Sequence, residues 1–191
     1  NDTSIVAASP KIIHGGLKNT IWWCGWYRSW GFLKFHKLMN LKKKRIIDDP
    51  SYKGIKDTDV VSGCCSIYKA YALKLSGLGD EIFFFGPEDF DLSFRLKKYG
   101  RLVVNLDVRT FHMLTQSSKV SGWLSRSYYE AKGFLILIKK EGDLLDKLVG
   151  YSYFILRIPY YLILLALKKR EKDRVYGYCL GCYDFFLNKK F

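Results

Sequence analysis

Three carboxylates packed into four positions, Glu88-Asp89-Phe90-Asp91, are the residues of this chain whose type and spacing best suit proton transfer. A carboxylate so placed can act as a general base, and His112, 23 residues beyond Asp89, can complete a metal shell or meet a phosphate. On spacing alone the same residues also read as an acidic helix start and a packed histidine, because negative side chains are favourable in a first helical turn. Cys179-x-x-Cys182 is the one redox-like or metal-like spacing. It has no second cysteine pair or histidine pair and lies in an aromatic helical pattern, so ordinary buried thiols are expected there. Ser62-Gly63 interrupts an apolar run, and a glycine inside such a run marks close approach of a ligand or of another backbone.

The elements that must position these residues follow from the surrounding pattern. Ile5 to Ala8, Pro10 to Ile13 and Ile21 to Trp26 read as strands separated by the Gly15-Gly16 turn. Val60 to Tyr68 reads as a buried strand broken at Ser62-Gly63, and Lys69 to Ser76 as a short helix closed by Gly77. Glu88 to Tyr99 has the periodicity of a helix, with basic residues at its end and Gly100 as its stop. Arg101 to Leu106 is a further strand, and Val108 to Met113 an extended piece that carries His112. From Ser121 onward the pattern changes to three long helices, Trp123 to Lys140, Leu144 to Lys169 and Arg174 to Leu187. The expectation is an α/β body over residues 1–120 and a helical extension over 121–191.

Composition narrows the partners. The chain has 191 residues, 49% of them apolar, which suits one domain with an appendage and excludes a disordered tail. Lysine and arginine number 32 against 18 acidic residues, a net charge of +14, and such a field draws nucleic acid, an anionic membrane surface or a phosphorylated small molecule. Five irregularly spaced cysteines argue against a secreted disulfide framework and for a reducing compartment. Nucleic acid is disfavoured, because no RNP, zinc-finger or helix-turn-helix pattern occurs and the aromatics fall mainly in strand and helix cores.

Taken together, Pro10-Lys-Ile, Ile21-Trp-Trp-Cys-Gly, Val61-Ser-Gly-Cys-Cys-Ser-Ile-Tyr-Lys69, the long run from Gly77 through Phe83-Phe-Phe-Gly-Pro-Glu-Asp-Phe-Asp91 to Gly100, and Thr110-Phe-His112 form an ordered set. This set resembles the C-terminal, acceptor-side half of glycosyltransferase family 2, inverting enzymes with the GT-A fold, and is rhamnosyltransferase-like. The resemblance implies that Asp89 is the catalytic base and that Glu88 and Trp26 bind the acceptor. It implies that Ser62, Gly63 and Cys64 line the donor sugar pocket, where a missing side chain lets substrate approach. It makes His112 a ligand to Mg²⁺ or Mn²⁺ or to the donor diphosphate. Asp91 is expected instead to hold the helix start or a nearby arginine such as Arg95.

The nucleotide-binding half with an Asp-x-Asp metal motif, which the resemblance calls for, does not precede Pro10. Asp57-Thr-Asp59 and Asp89-Phe-Asp91 have that spacing but lie in the other half. The expectation is therefore part of a longer transferase, inactive alone, that uses a nucleotide-sugar donor and a glycan or polyprenyl-diphosphate-linked acceptor. The aromatic Leu144 to Leu167 stretch, broken by Arg157 and Pro159, suits a helix lying on an anionic membrane surface more than one crossing it. With the basic run Lys168 to Arg170, it suggests a cytoplasmic protein peripheral to the inner face of the cell membrane. Packing on the body or a homo-oligomer interface remains open for these helices. The competing class is a non-catalytic basic module that binds a membrane surface or nucleic acid.

Overall fold

The protein is an α/β structure, and its computed structural model describes residues 2–17, 19–29, 34–37, 46–113, 122–167 and 172–189. The chain forms two compact units, one of Asn1–Ser29, Lys34–Gly79 and Asp89–Gln116, the other of Trp30–Leu33, Asp80–Glu88 and Ser117–Phe191. The aromatic turn at 80–88 groups with the second of these units. The basic stretch from Lys34 to Arg45 and the run Lys168 to Arg170 lie largely or wholly outside the described residues.

The first unit is built on a mixed sheet. Strands β1 (Ile5–His14), β2 (Thr20–Trp23), β5 (Ile46–Ile47), β6 (Ile55–Thr58) and β8 (Arg101–His112) run in the order β5-β2-β1-β8-β6, and β7 (Ile67–Tyr68) also pairs with β1. β3 (Trp26–Ser29) and β4 (Lys34–Lys37) make a separate hairpin. β1 and β8 are parallel neighbours at the centre, with Ser9 opposite Val104 and His14 opposite His112. Their alternate residues feed two apolar clusters, one around Ile12, Trp23, Val104 and Leu106 and one around Val6, Val61, Ala72, Leu96 and Leu102. Helix α1 (Ala70–Ser76) and helix α2 (Glu88–Leu96) supply Ala72 and Leu96 to the second cluster. Burying a leucine such as Leu96 stabilises by about 1.5–3 kcal/mol, so this contact fixes α2 on the sheet.

Several expected elements change form. Residues 5–14 are one strand, not two, and β8 is continuous to His112. The Ile21 to Trp26 run is split at Cys24-Gly25 between β2 and β3. The predicted strand over 60–68 is mostly an irregular turn, with only β7 at its end and a single bridge from Val60 to Trp26. Side chains have captured the backbone groups that a ladder would use. Val61 N–H donates to Ser93 Oγ (3.1 Å), Ser62 N–H to Ser9 Oγ (3.0 Å) and Gly63 N–H to Asp89 Oδ2 (2.8 Å). Local bonds from serine and aspartate side chains compete with sheet pairing in this way.

One ion pair is sealed inside the sheet. Lys11 on β1 is 2% exposed, and its Nζ lies 2.7 Å from Asp48 Oδ1 and donates to the Tyr52 carbonyl at 3.1 Å. Arg109 Nε meets the other oxygen of Asp48 at 2.9 Å.

The second unit is helical: α3 (Trp123–Glu141), α4 (Leu144–Leu167) and α5 (Lys172–Phe186). Gly177 and Gly181, one turn apart on α5, face α3, where a Cβ on either would strike the Leu124 or Tyr128 carbonyl. The two backbones therefore approach more closely than larger residues permit. Asp146 opens α4 through reciprocal bonds, its N–H donating to Asp143 Oδ1 at 2.7 Å. The turn before α2 is fastened to α3 as well: Phe84 packs on Tyr129 at 4.7 Å between centroids, the Arg126 guanidinium lies over Phe85 at 5.5 Å, and a side chain at Gly133 would meet the Pro87 ring.

Candidate active site

The sequence singles out Asp89, and the structure gives it a specific seat. It stands in the first turn of α2, where the helix dipole favours a negative charge, and its carboxylate receives the Gly63 N–H at 2.8 Å. A Cβ added at Gly63 would run into that carboxylate. The space left by the missing side chain, which the resemblance assigns to substrate, is thus occupied by Asp89 itself. Gly63 has become a rest for the carboxylate.

The turn that carries Gly63 is held from both sides. Ser9 on β1 bonds Ser62 N–H and pairs with the Ser66 hydroxyl, while Ser66 Oγ donates to the Ser62 carbonyl at 2.7 Å. Cys64 N–H donates to Ser62 Oγ at 3.3 Å. Ser62 is buried, whereas Gly63 and Cys64 are exposed, so solvent reaches the turn at the point where it meets Asp89. The Asp89 charge also helps burial push the Tyr68 hydroxyl above its usual pKa, with burial the larger cause and a bond to Ser66 opposing both.

Trp26 sits near by. Its ring meets Phe90 edge-on at 6.1 Å, and its backbone is fixed by Thr58, whose Oγ1 accepts Trp26 N–H at 2.9 Å. Glu88 precedes Asp89 in α2, and one of its carboxylate oxygens, Oε2, is buried without a hydrogen-bonding partner among the described residues. A buried acceptor left in that state costs about 1–3 kcal/mol, so it is a candidate for a donor brought by a ligand.

The other acidic residues have structural duties. Asp91 is fully buried and grips Arg95, with Oδ2 at 2.9 Å from Nε and 2.8 Å from Nη2. Arg95 in turn donates to the carbonyls of Ser76, Gly77 and Leu78, closing the C-terminal end of α1. The expected Asp91–Arg95 partnership is therefore present. Asp57 pairs with Arg101 at 2.8 Å and Asp59 pairs with Lys97, which engages both members of the Asp57-x-Asp59 spacing.

His112 ends β8, its ring 4.6 Å from that of Trp22. It lies opposite His14, five residues along β1 from Ser9, roughly 16 Å at the usual rise per strand residue. Among the described residues no group of three or more histidine, cysteine or acidic side chains is arranged to hold a metal ion. Mg²⁺ and Mn²⁺ favour several oxygen ligands, and the single nitrogen supplied here does not by itself fit such an ion. Cys179 and Cys182 are thiols on α5. Burial raises both, Cys182 to about 12, which suppresses the thiolate that would attack or ligate.

Sequence reasoning missed the buried Lys11–Asp48 pair and a lysine-rich cavity in the helical unit. The only sequence sign of the cavity is the spacing Lys132, Ile136, Lys139, Lys140, which falls on one helical face. No protein-family model and no curated protein matches the chain.

Proposed function

We propose that this chain carries the acceptor-side machinery of an inverting sugar transfer, with Asp89 as general base. The observation that carries the reading is the seat of Asp89: a carboxylate in the first turn of α2, held against an exposed turn by the Gly63 N–H. It is supported by the ordered motifs that resemble glycosyltransferase family 2 and by Trp26 beside Phe90.

In this reading the acceptor hydroxyl binds against Asp89, and Trp26 offers an apolar face to the acceptor sugar. As the hydroxyl oxygen attacks the anomeric carbon, its proton passes to the Asp89 carboxylate. The bond from that carbon to the donor's diphosphate oxygen breaks, and the nucleoside diphosphate leaves with the electron pair. Attack opposite the leaving group inverts the anomeric centre. Asp89 then returns its proton to solvent. Glu88, through Oε2, accepts a bond from a second acceptor hydroxyl, and the turn at Ser62 to Cys64 faces the donor sugar. A GT-A arrangement belongs to the same proposal. Where a divalent ion takes part, it would offset charge on the leaving diphosphate.

Attachment to a membrane surface goes with this reading. Leu145, Leu148, Val149, Tyr153, Ile155, Leu156, Tyr160, Leu162 and Ile163 are exposed along α4 without a charged residue among them. A water-facing row of this kind is suited to the acyl boundary of a leaflet. Among the described residues no helix is long and apolar enough to cross a membrane.

The test is Asp89→Asn introduced into the gene in the source cells, with cell-surface glycans profiled by mass spectrometry. Loss of one glycan at undiminished protein level is expected. An unchanged profile would remove Asp89 from the mechanism.

A further inference from the structure

Helix α4 sets a cation at the margin of its exposed apolar row. From Leu148 to Leu167 the one charged residue is Arg157. At about 100° of turn per helical residue, Leu145, Leu156 and Ile163 fall within about 20° of one line, Tyr160 and Tyr153 about 60–80° to one side of it, and Arg157 about 120° to the same side. The first five are exposed and Arg157 is half-buried. Around the helix, from its outermost line inward, aliphatic side chains therefore give way to tyrosines and then to a guanidinium.

Arg157 is seated among aromatic rings. Its guanidinium carbon lies 5.3 Å from the Tyr153 centroid, 5.0 Å from that of Tyr161 and 5.8 Å from that of Tyr178 on α5. Its Nη1 donates to the Tyr153 hydroxyl at 2.7 Å. Tyr161 and Tyr178 are buried and pack on each other with centroids 4.7 Å apart, so two walls of the seat belong to the packed seam between α4 and α5. All of these partners are neutral. The rings steady the cation and the hydroxyl takes one of its five N–H donors, but a neutral partner does not cancel the charge. Among the described residues no carboxylate forms an ion pair with Arg157. Burial pushes the Tyr178 hydroxyl above its usual pKa, and the Arg157 charge pulls against that.

A partner for this face must bring an apolar body to the row and an anion to its margin. The row carries no acidic residue, so a second copy packed row to row would bring Arg157 no carboxylate. An acidic protein surface would set charge against Leu156 and Ile163. A phospholipid leaflet supplies both chemistries in the observed order, with acyl chains under the row, tyrosines at the interface and phosphates at the margin. The planar guanidinium also suits phosphate, whose oxygens it can meet in pairs. We infer that α4 recognises anionic phospholipid, the lipid phosphate being bound by Arg157 beside the apolar row. This inference rests on the membrane attachment proposed above and is independent of Asp89.

Co-sedimentation of the full chain with two kinds of vesicle tests it: phosphatidylcholine alone, and phosphatidylcholine mixed equally with phosphatidylglycerol. The wild-type chain is expected to prefer the mixture. Arg157→Gln is expected to weaken binding to the mixture about 10-fold or more with circular dichroism unchanged. Lys172→Gln, at an exposed lysine that opens α5, should cost no more than about 5-fold, the share of one diffuse surface charge. Arg157→Lys, which keeps the charge and the stem but loses the planar fork, should also bind more weakly than the wild type. Equal losses from Arg157→Gln and Lys172→Gln would make Arg157 one charge among many and overturn the inference. Equal binding of both vesicles by the wild type would overturn it without any variant. Binding that survives Arg157→Gln but is lost in Leu148→Asp with Leu156→Asp would keep the membrane attachment and overturn this inference alone. No binding to either vesicle by the wild type would remove the attachment as well.

Discussion

In the sheet unit carboxylates are held by specific partners. Asp91 holds Arg95, Asp59 holds Lys97, and the Asp89 carboxylate is aligned by the Gly63 N–H. In the helical unit, α4 turns an apolar row to solvent. The sheet unit uses polar groups to fix positions, as a reaction that needs a base in one place requires. The helical unit leaves apolar surface exposed along α4, as a surface that meets other molecules does.

Substitutions of buried charge should separate the two units most sharply. Asp48→Ala removes the carboxylate that pairs with Lys11 inside the sheet and is expected to cost about 3–5 kcal/mol in urea unfolding. Lys132→Met in the helical unit removes a buried charge while keeping its volume, and Tyr128 retains Asp184. Its expected cost is below about 1.5 kcal/mol. A larger cost for Lys132→Met than for Asp48→Ala would reverse the comparison.

Packing within the helical unit should show a middling effect. Gly181→Val pushes a branched side chain into the Tyr128 carbonyl and should destabilise by about 1–3 kcal/mol, read as a lowered melting temperature. No change would mean that α3 and α5 do not depend on their close approach.

The smallest change in stability is expected on the outward face of α4. Leu148→Asp combined with Leu156→Asp, at sites 65% and 70% exposed, should alter stability by less than about 0.5 kcal/mol per site. The same variant should lose flotation with vesicles rich in phosphatidylserine. Retained flotation would detach the apolar row from the membrane.

How far these features could be read in advance varies with how local they are. The α2 start at Glu88 and the Asp91–Arg95 pair were legible, because helical spacing of four residues puts both partners on one face. The three C-terminal helices were legible for the same reason. The segment 60–68 reads as a strand, since Val60, Val61, Ile67 and Tyr68 have strand composition. What undoes the strand is Ser9, Asp89 and Ser93, which lie far away in sequence and take its N–H groups. Lys11 looked like an ordinary polar residue in a β pattern, and nothing near it announces Asp48. Gly63 reads as a point of close approach, but the occupant, Asp89, is visible only once α2 is placed on the sheet.

The central claim is that Asp89, resting on Gly63, takes the acceptor proton. The most direct measurement is the rate of labelled sugar transfer from nucleotide-sugar donors by membranes of source cells carrying either the wild-type protein or Asp89→Asn at equal abundance. Loss of a general base predicts a fall of about 10²–10⁴-fold, with resistance to proteolysis unchanged. Transfer at near the wild-type rate by Asp89→Asn would contradict the account.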